Sequence, residues 1–380
     1  MKKSVYLDNA ATTYPKPECV YYQVYKVMRD MCGNPGRGSN KMALAASKIL
    51  YEARRKLASY FTAPLEENII FTYNATYALN IAIKCFIRRQ SHVLISDVEH
   101  NAVYRPIVSE SLKGNISYSI FDTFSGESDK ILEEIRQKTR FNTSAIVCTA
   151  SSNICSLRLP IEKIAEYAKR NNLLFILDGS QMAGHEKIVL KDSGISIFCA
   201  PFHKALYGPQ GGGFLIVNEG IMPQRSFIEG GSGYDSKNIK MPPTLPEMFE
   251  AGTVSTPSAA GLCASIEYLE NAKAENIQIY EKKIFSLMRN VIKNHPRLKI
   301  HGDYGMSSVI SVTAEGIDTE QFASMLDEND IYVRGGFHCA PLAHKKLGTY
   351  DSGSVRFSCG IFNTEEDMYI LDNVLSKILN

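Results

Sequence analysis

Lys204 stands between an apolar run and a glycine-rich turn, in SIFCAPFHKALYGPQGGGFLIV at residues 196–217. A lysine next to His203 and followed by Gly208, Pro209 and the triplet Gly211 to Gly213 is poorly explained as a solvated surface group. It reads as a Schiff-base lysine, an amine that bonds a carbonyl reversibly. The partners that a pyridoxal phosphate (PLP) site demands lie upstream. Leu173 to Leu177 form a continuous apolar run, suited to a strand buried on both faces, which ends on Asp178. A carboxylate there is costly unless it is paired or binds a ligand. Set against the cofactor's pyridine nitrogen, Asp178 keeps that nitrogen protonated, and Gln181 reaches the phenolate oxygen. A plain cap of the following turn is the competing reading of Asp178, and Lys204 shifts the balance toward the cofactor.

Further candidates fall at strand ends. Thr76, in FTYNATYALN, belongs to a strand-to-helix turn whose amides form a ready phosphate site, or else it caps the helix. His100, in SDVEHNAVYRP, suits a ring laid on the cofactor that also serves as acid or base, or a capping residue. Asn153, in TASSNICS, carries the same two readings.

These residues need a scaffold, and the chain supplies one. Apolar runs of strand length alternate with amphipathic stretches of helix length, the mark of a parallel sheet with helical crossovers. The runs predict strands at 69–72, 92–96, 116–121, 144–149, 173–177, 195–199 and 213–217, with helices at 75–88, 102–112, 129–138 and 161–171. From about Gly230 the stretch GGSGYDSKNIKMPPTLP reads as an ordered loop. A helix at 257–271 then precedes a smaller α+β unit. The 380 residues suffice for a large core and more than one domain. With 42 Lys and Arg against 40 Asp and Glu, no basic field for nucleic acid is evident. No apolar run reaches bilayer length and the opening MKKSVYLDNAATT has no long apolar signal region, so the expectation is a cytoplasmic protein without a membrane partner. Nine cysteines form no CxxC pair; Cys85, Cys148, Cys199 and Cys263 sit in apolar segments as small core residues, which fits a reducing compartment.

Several segments together resemble the cysteine desulfurases, fold type I PLP enzymes of the class V aminotransferase group. They are YLDNAATT at 6–13, NPGRG at 34–38, DGSQ at 178–181, HKALYGPQG at 203–211, FEAGT at 249–253, RGGFHCAPLAHKKLGT at 334–349 and VRFSCGIFNTEED at 355–367. The resemblance covers nearly the whole chain in order. It implies an α/β fold: a large PLP-binding domain at 15–271 with a mostly parallel seven-stranded sheet, and a smaller α+β domain formed by 1–14 and 272–380. Carried over by position, it makes Lys204 the Schiff-base residue, Asp178 and Gln181 the ring partners and His100 the stacking residue. Ala75, Thr76 and His203 hold the phosphate, with Gly252 and Thr253 reaching it from the neighbouring subunit of a homodimer. Asn153 touches cofactor and substrate, while Arg334, Asn9 and Ala11 line the substrate site. Arg356 binds the substrate carboxylate, a task for a planar fork.

Cys339 sets the reaction. Gly335, Gly336 and His338 surround it in a segment flexible enough to swing a thiol toward the cofactor, and a nearby histidine helps supply the thiolate. The resemblance implies that L-cysteine displaces Lys204 on PLP, and that Cys339 takes the substrate sulfur as a persulfide and leaves alanine. The short stretch between Cys339 and Arg356 matches the short-loop branch, whose members commonly pass sulfur to an acceptor protein and include enzymes acting on selenocysteine. A selenocysteine lyase, or an aminotransferase or C–S lyase on another amino acid, is the alternative. His338, Cys339 and His344 make a weak zinc case, and no metal is expected. The chain departs from the family pattern at Pro201 and Phe202, where serine and glycine are frequent, and at Ala150, Ser156 and Ser255. Proline at 201 removes a hydroxyl and an amide donor that could serve the phosphate.

Overall fold

The computed structural model describes residues 4–36, 38, 40–234 and 236–379. The 34–38 segment read in the sequence includes Arg37, which lies outside the described residues. A seven-stranded sheet forms the larger layer, in spatial order Ile69–Thr72, Gly213–Val217, Ile197–Pro201, Leu174–Asp178, Thr143–Thr149, Ser91–Ser96 and Ile116–Phe121. Gly213–Val217 runs antiparallel to both neighbours, and the other pairings are parallel. Parallel neighbours need crossovers. Helices Asn101–Leu112, Ser128–Lys138 and Ile161–Arg170 supply them between successive strands.

Strand alternation explains why both sheet faces are apolar. Leu94, Ile146, Cys148, Phe175 and Leu177 enter one core cluster. Their neighbours Val93, Ile95, Ala145, Val147 and Ile176 enter the other, as a side-chain period of two requires. The helices bury one stripe each; in Ile161–Arg170 that stripe is Ile161, Ile164, Ala165 and Ala168.

The strand expected at 195–199 begins two residues later, at Ile197. Ser193 Oγ and the Phe175 carbonyl take the amides of Ile195 and Ser196. The ladder instead extends to Pro201 opposite Gly213, an end where a missing N–H is tolerated.

A second layer is antiparallel, with strands Arg334–Gly336, Ser354–Ser358, Val309–Ala314 and Leu298–His301 in that spatial order. Its core gathers Ile310, Val312, Val355 and Phe357 with Ile284 and Met288 of helix Ala274–Lys293 and Leu371 and Leu375 of helix Glu365–Leu379. The amino-terminal segment is part of this layer. Val5–Tyr6 pairs in parallel with Ile331–Tyr332, and Asp8 bridges to Ser358. No helix among the described residues is long and apolar enough to cross a membrane.

A partly buried ion pair joins the two layers. His185 Nδ1 lies 2.6 Å from Glu281 Oε2, on helix Ala274–Lys293. Burial alone would lower the hold of His185 on its proton, but the charge and hydrogen bond of Glu281 raise it. A raised folded value means the pair's stabilisation is complete below the unfolded value of about 6.5 and is lost as pH rises through the folded one. The unfolding midpoint should therefore fall by about 1–3 °C over that rise, and Glu281→Gln should flatten the dependence. An equal slope in the variant would remove the pair from the effect.

Candidate active site

The carboxyl ends of the parallel strands, where open α/β sheets bind ligands, converge on one cavity. It encloses about 770 Å³, its open mouth included, and is lined by Ala75, Thr76, His100, Asn153, Asp178, Gln181, His203, Lys204, Arg334, Cys339 and Arg356. Ala11 lines it too. Three sequence candidates lie elsewhere. Gly252 and Thr253 border a separate cleft with Asn34, Gly36 and Arg54. Asn9 belongs to a neighbouring cavity, which Lys204 also touches, because its side-chain amide turns toward the Ser358 carbonyl and Asn363.

Asp178 ends its strand almost fully buried, and its Oδ1 accepts from the Ser180 amide at 2.9 Å. Capping the turn and facing the cavity are thus compatible, since the second oxygen is left over. Lys204 opens into the same cavity. Burial pushes its amine from the usual 10.5 down to about 8, opposed by Asp178 and assisted by Arg356 and Arg334. Near neutral pH a useful fraction is then the free, nucleophilic amine.

His100 is the N-cap of helix Asn101–Leu112, its Nδ1 accepting from the Ala102 amide at 3.0 Å. An acceptor at Nδ1 puts the ring's proton on Nε2. Burial and then Lys204 push its pKa down to about 4, so it works as a neutral donor. Gln181 donates Nε2 to the Ala10 carbonyl at 2.9 Å, which leaves its oxygen available.

At the other end of the cavity, helix Ala75–Phe86 starts with Asn74 as its N-cap, bonded to the Tyr77 amide. Thr76 is therefore a first-turn residue and no cap, and the Ala75 and Thr76 amides have no partner within the helix. Gly213 seats this helix start closely, since a Cβ there would fall 2.6 Å from the Asn74 carbonyl carbon. His203 completes the end with a buried Nδ1 that has no hydrogen-bond partner. Lys16, which the sequence reading passed over, donates to Thr13 Oγ1 at 2.6 Å and the His203 carbonyl at 2.7 Å. Amides at a helix amino terminus plus a buried unpaired imidazole nitrogen fit a phosphate.

Phe202 does not intrude on the cavity. Its ring stacks on Phe214 and covers Gly212, where a Cβ would approach it to 2.1 Å. Pro201 itself lines the cavity. Ala150 gives its amide to the Asp178 carbonyl at 2.9 Å, Ser156 accepts from the Tyr304 amide at 2.7 Å, and Ser255 caps helix Thr256–Ala272. These substitutions are thus built into the fold.

Arg356 is 2% exposed, against the surface arginine that its sequence context alone would give. Nη1 donates to the Asn153 carbonyl at 3.0 Å and Nη2 to Asp8 Oδ1 at 2.6 Å. Asp8 was not picked out in the sequence, although it sits inside YLDNAATT.

Cys339 is an exposed free thiol at this cavity. The backbone of the segment expected to swing is hydrogen-bonded on both sides. The Asn101 amide donates to the Cys339 carbonyl at 2.7 Å and Asn153 Nδ2 to the His338 carbonyl at 2.7 Å. His338 and Cys339 both hold positive φ, 46° and 56°, a strained pair for residues with a Cβ. The His338 ring stacks on His344 at 5.8 Å. No cluster of three potential metal ligands occurs among the described residues.

A family model described as Aminotransferase class-V matches residues 5–371. A probable cysteine desulfurase of Methanothermobacter thermautotrophicus is 28% identical over 388 residues, spanning 100% of this chain and 95% of the relative. A probable cysteine desulfurase of Vibrio cholerae is 28% identical, spanning 99% and 94%. The apo structure of a cysteine desulfurase from Thermococcus onnurineus NA1 superposes with a TM-score of 0.91 at 25% identity, covering 99% of this chain and 94% of that one.

Proposed function

Because the chain belongs to the class-V aminotransferase family, we propose that it is a PLP-dependent cysteine desulfurase, which converts L-cysteine to L-alanine and retains the sulfur as a persulfide on Cys339. The observation that carries this reading is the convergence of Lys204, Asp178, Arg356 and Cys339 on one cavity from four separate segments.

PLP supplies an electron sink when bound, which stabilises negative charge at the substrate's α-carbon. Ala75, Thr76 and His203 would hold its phosphate, Asp178 its pyridine nitrogen and Gln181 its phenolate oxygen. Lys204, freed by burial as an amine, holds the cofactor and then moves the proton at the α-carbon. Arg356 grips the substrate carboxylate, with Arg334, Asn153 and Ala11 around it. His100 offers its Nε2 proton to the reacting centre. The Cys339 thiolate attacks the substrate sulfur; an S–S bond forms, the Cβ–S bond breaks with its electrons left on carbon, and protonation there yields alanine.

Gly252 and Thr253 stand apart from this cavity, and their part in phosphate binding would come from a second copy in a homodimer. The same reading assigns residues 15–271 to a cofactor-binding domain and 1–14 with 272–380 to a smaller domain bearing Cys339. A protein acceptor would then collect the sulfur at the exposed thiol. A reduced, cytoplasmic setting is consistent with nine cysteines free of disulfides.

Assayed with L-cysteine and a reductant, the purified protein should release alanine and sulfide in equal amounts. Turnover of another amino acid in place of cysteine, with the cofactor bound, would move the assignment to a different reaction on the same fold.

A further inference from the structure

Arg356 reaches the cavity already engaged. A guanidinium has five N–H donors, two of which here meet oxygen acceptors on separate segments. The Asn153 carbonyl takes one from Nη1 at 3.0 Å, and Asp8 Oδ1 takes one from Nη2 at 2.6 Å. Asn153 and Arg356 line the cavity, and with one bond made by each terminal nitrogen, one N–H on each remains for an incoming carboxylate. Asp8 is fixed in register with the strand that bears Arg356. It bridges to Ser358, whose amide donates to the Leu7 carbonyl at 2.7 Å and whose hydroxyl receives the Ala10 amide at 2.9 Å.

Charge makes the pair necessary. Arg334 acts against this buried guanidinium's charge, and Lys204 feels both arginines as well as Asp178 and Asp8. Burial weakens the proton affinity of Arg356, and Asp8 is the foremost group restoring it. With Asp8 neutral or absent, the buried guanidinium would lose its hydrogen-bonded counter-charge, and removing one partner from such a pair is strongly disruptive.

We infer that Asp8 is a positioning residue for substrate recognition: it holds the Arg356 fork flat and charge-balanced so that two parallel N–H groups are presented to the amino acid's carboxylate. The inference rests on the reading of Arg356 as the carboxylate site. It carries a definite sign, because a carboxylate that merely competed with substrate would tighten binding when removed.

The test uses PLP-loaded Asp8→Ala, Asp8→Asn and Arg356→Lys proteins. It measures KM and kcat with L-cysteine, and the Kd of L-alanine from the absorbance of the bound cofactor. Asp8→Ala should raise KM and the alanine Kd by at least about tenfold with a smaller fall in kcat. Asp8→Asn, which keeps an oxygen acceptor in a side chain of the same shape, should lie between wild type and Asp8→Ala, and it decides the matter if the alanine variant does not fold. Unchanged or lower KM and Kd in Asp8→Asn overturns the inference about Asp8 while leaving Arg356 intact. Unchanged values in Arg356→Lys overturn the assignment of Arg356 itself, and Asp8 falls with it.

Discussion

Lys204→Ala should leave a folded protein that has lost turnover by at least about a thousandfold and no longer shows the absorption of covalently held cofactor. The expectation follows from position and charge together. Lys204 follows the strand Ile197–Pro201 by three residues and lines the same cavity as Asp178. Its pKa is pushed down to about 8 by burial, so nucleophilicity near neutral pH is a property of the site. The alanine variant keeps the helix start at Ala75 and the unpaired His203 nitrogen, so it should still bind PLP non-covalently. Added methylamine should recover a small part of the activity. Wild-type absorption in the variant would mean that another amine holds the cofactor, and Lys16, whose pKa burial lowers to about 7, would be the first to examine.

Cys339→Ser should separate the two halves of the reaction. Cofactor absorption and its response to L-cysteine should persist, while persulfide on the protein disappears and alanine release falls by at least about a thousandfold, because a hydroxyl is a far weaker nucleophile toward sulfur than a thiolate. The contrast with the other cysteines is physical. Cys85, Cys148, Cys155, Cys199 and Cys359 are buried, and burial pushes their thiols up, which suppresses the reactive thiolate. Cys339 is exposed, held by Asn101 on its own carbonyl and by Asn153 on its neighbour's. The left-handed backbone at His338 and Cys339 costs about 1–3 kcal/mol per residue, strain that such a site retains only where the surroundings enforce it. Mass spectrometry of the protein after one turnover reads the persulfide directly. An unchanged adduct in the serine variant would transfer the role to another thiol, Cys19 and Cys32 being the other exposed ones.

What the sequence made legible was chemistry written locally. Asp178 and Lys204 each follow an apolar run, so period and length placed them at strand ends before any coordinates. The seven strands were readable for the same reason, apart from the two-residue shift at Ile197, where side-chain and cross-strand acceptors of the preceding amides decide the boundary. Contacts made at long range were not legible. Arg356 and Asp8 are 348 residues apart, and nothing near Arg356 in the chain marks it as buried. The tethering of Cys339 also went unseen: flanking glycines suggest freedom, whereas the restraint comes from Asn101 at a helix start and from Asn153. Phe202 illustrates the converse. In the sequence it is only a departure from the family pattern, yet its ring lies in the core against Phe214.

The threading of residues 5–13 through the second layer bears on how the protein is made. This segment is synthesised well before most of its partners, which are Ile331, Tyr332, Ser358 and, at Thr13, His203. At synthesis rates of 5–20 residues per second, Asp8 waits roughly 20–70 s before Arg356 even exists. The seven-stranded sheet, complete at Val217, has all its strands long before that. On the proposed assignment assembly has a built-in order: the segments that would hold the cofactor's ring and phosphate are made early, while the Asp8–Arg356 pair that would serve the amino acid forms only when two segments 348 residues apart meet. A chain halted before that meeting would have Lys204 but not the pair proposed to select what reacts there.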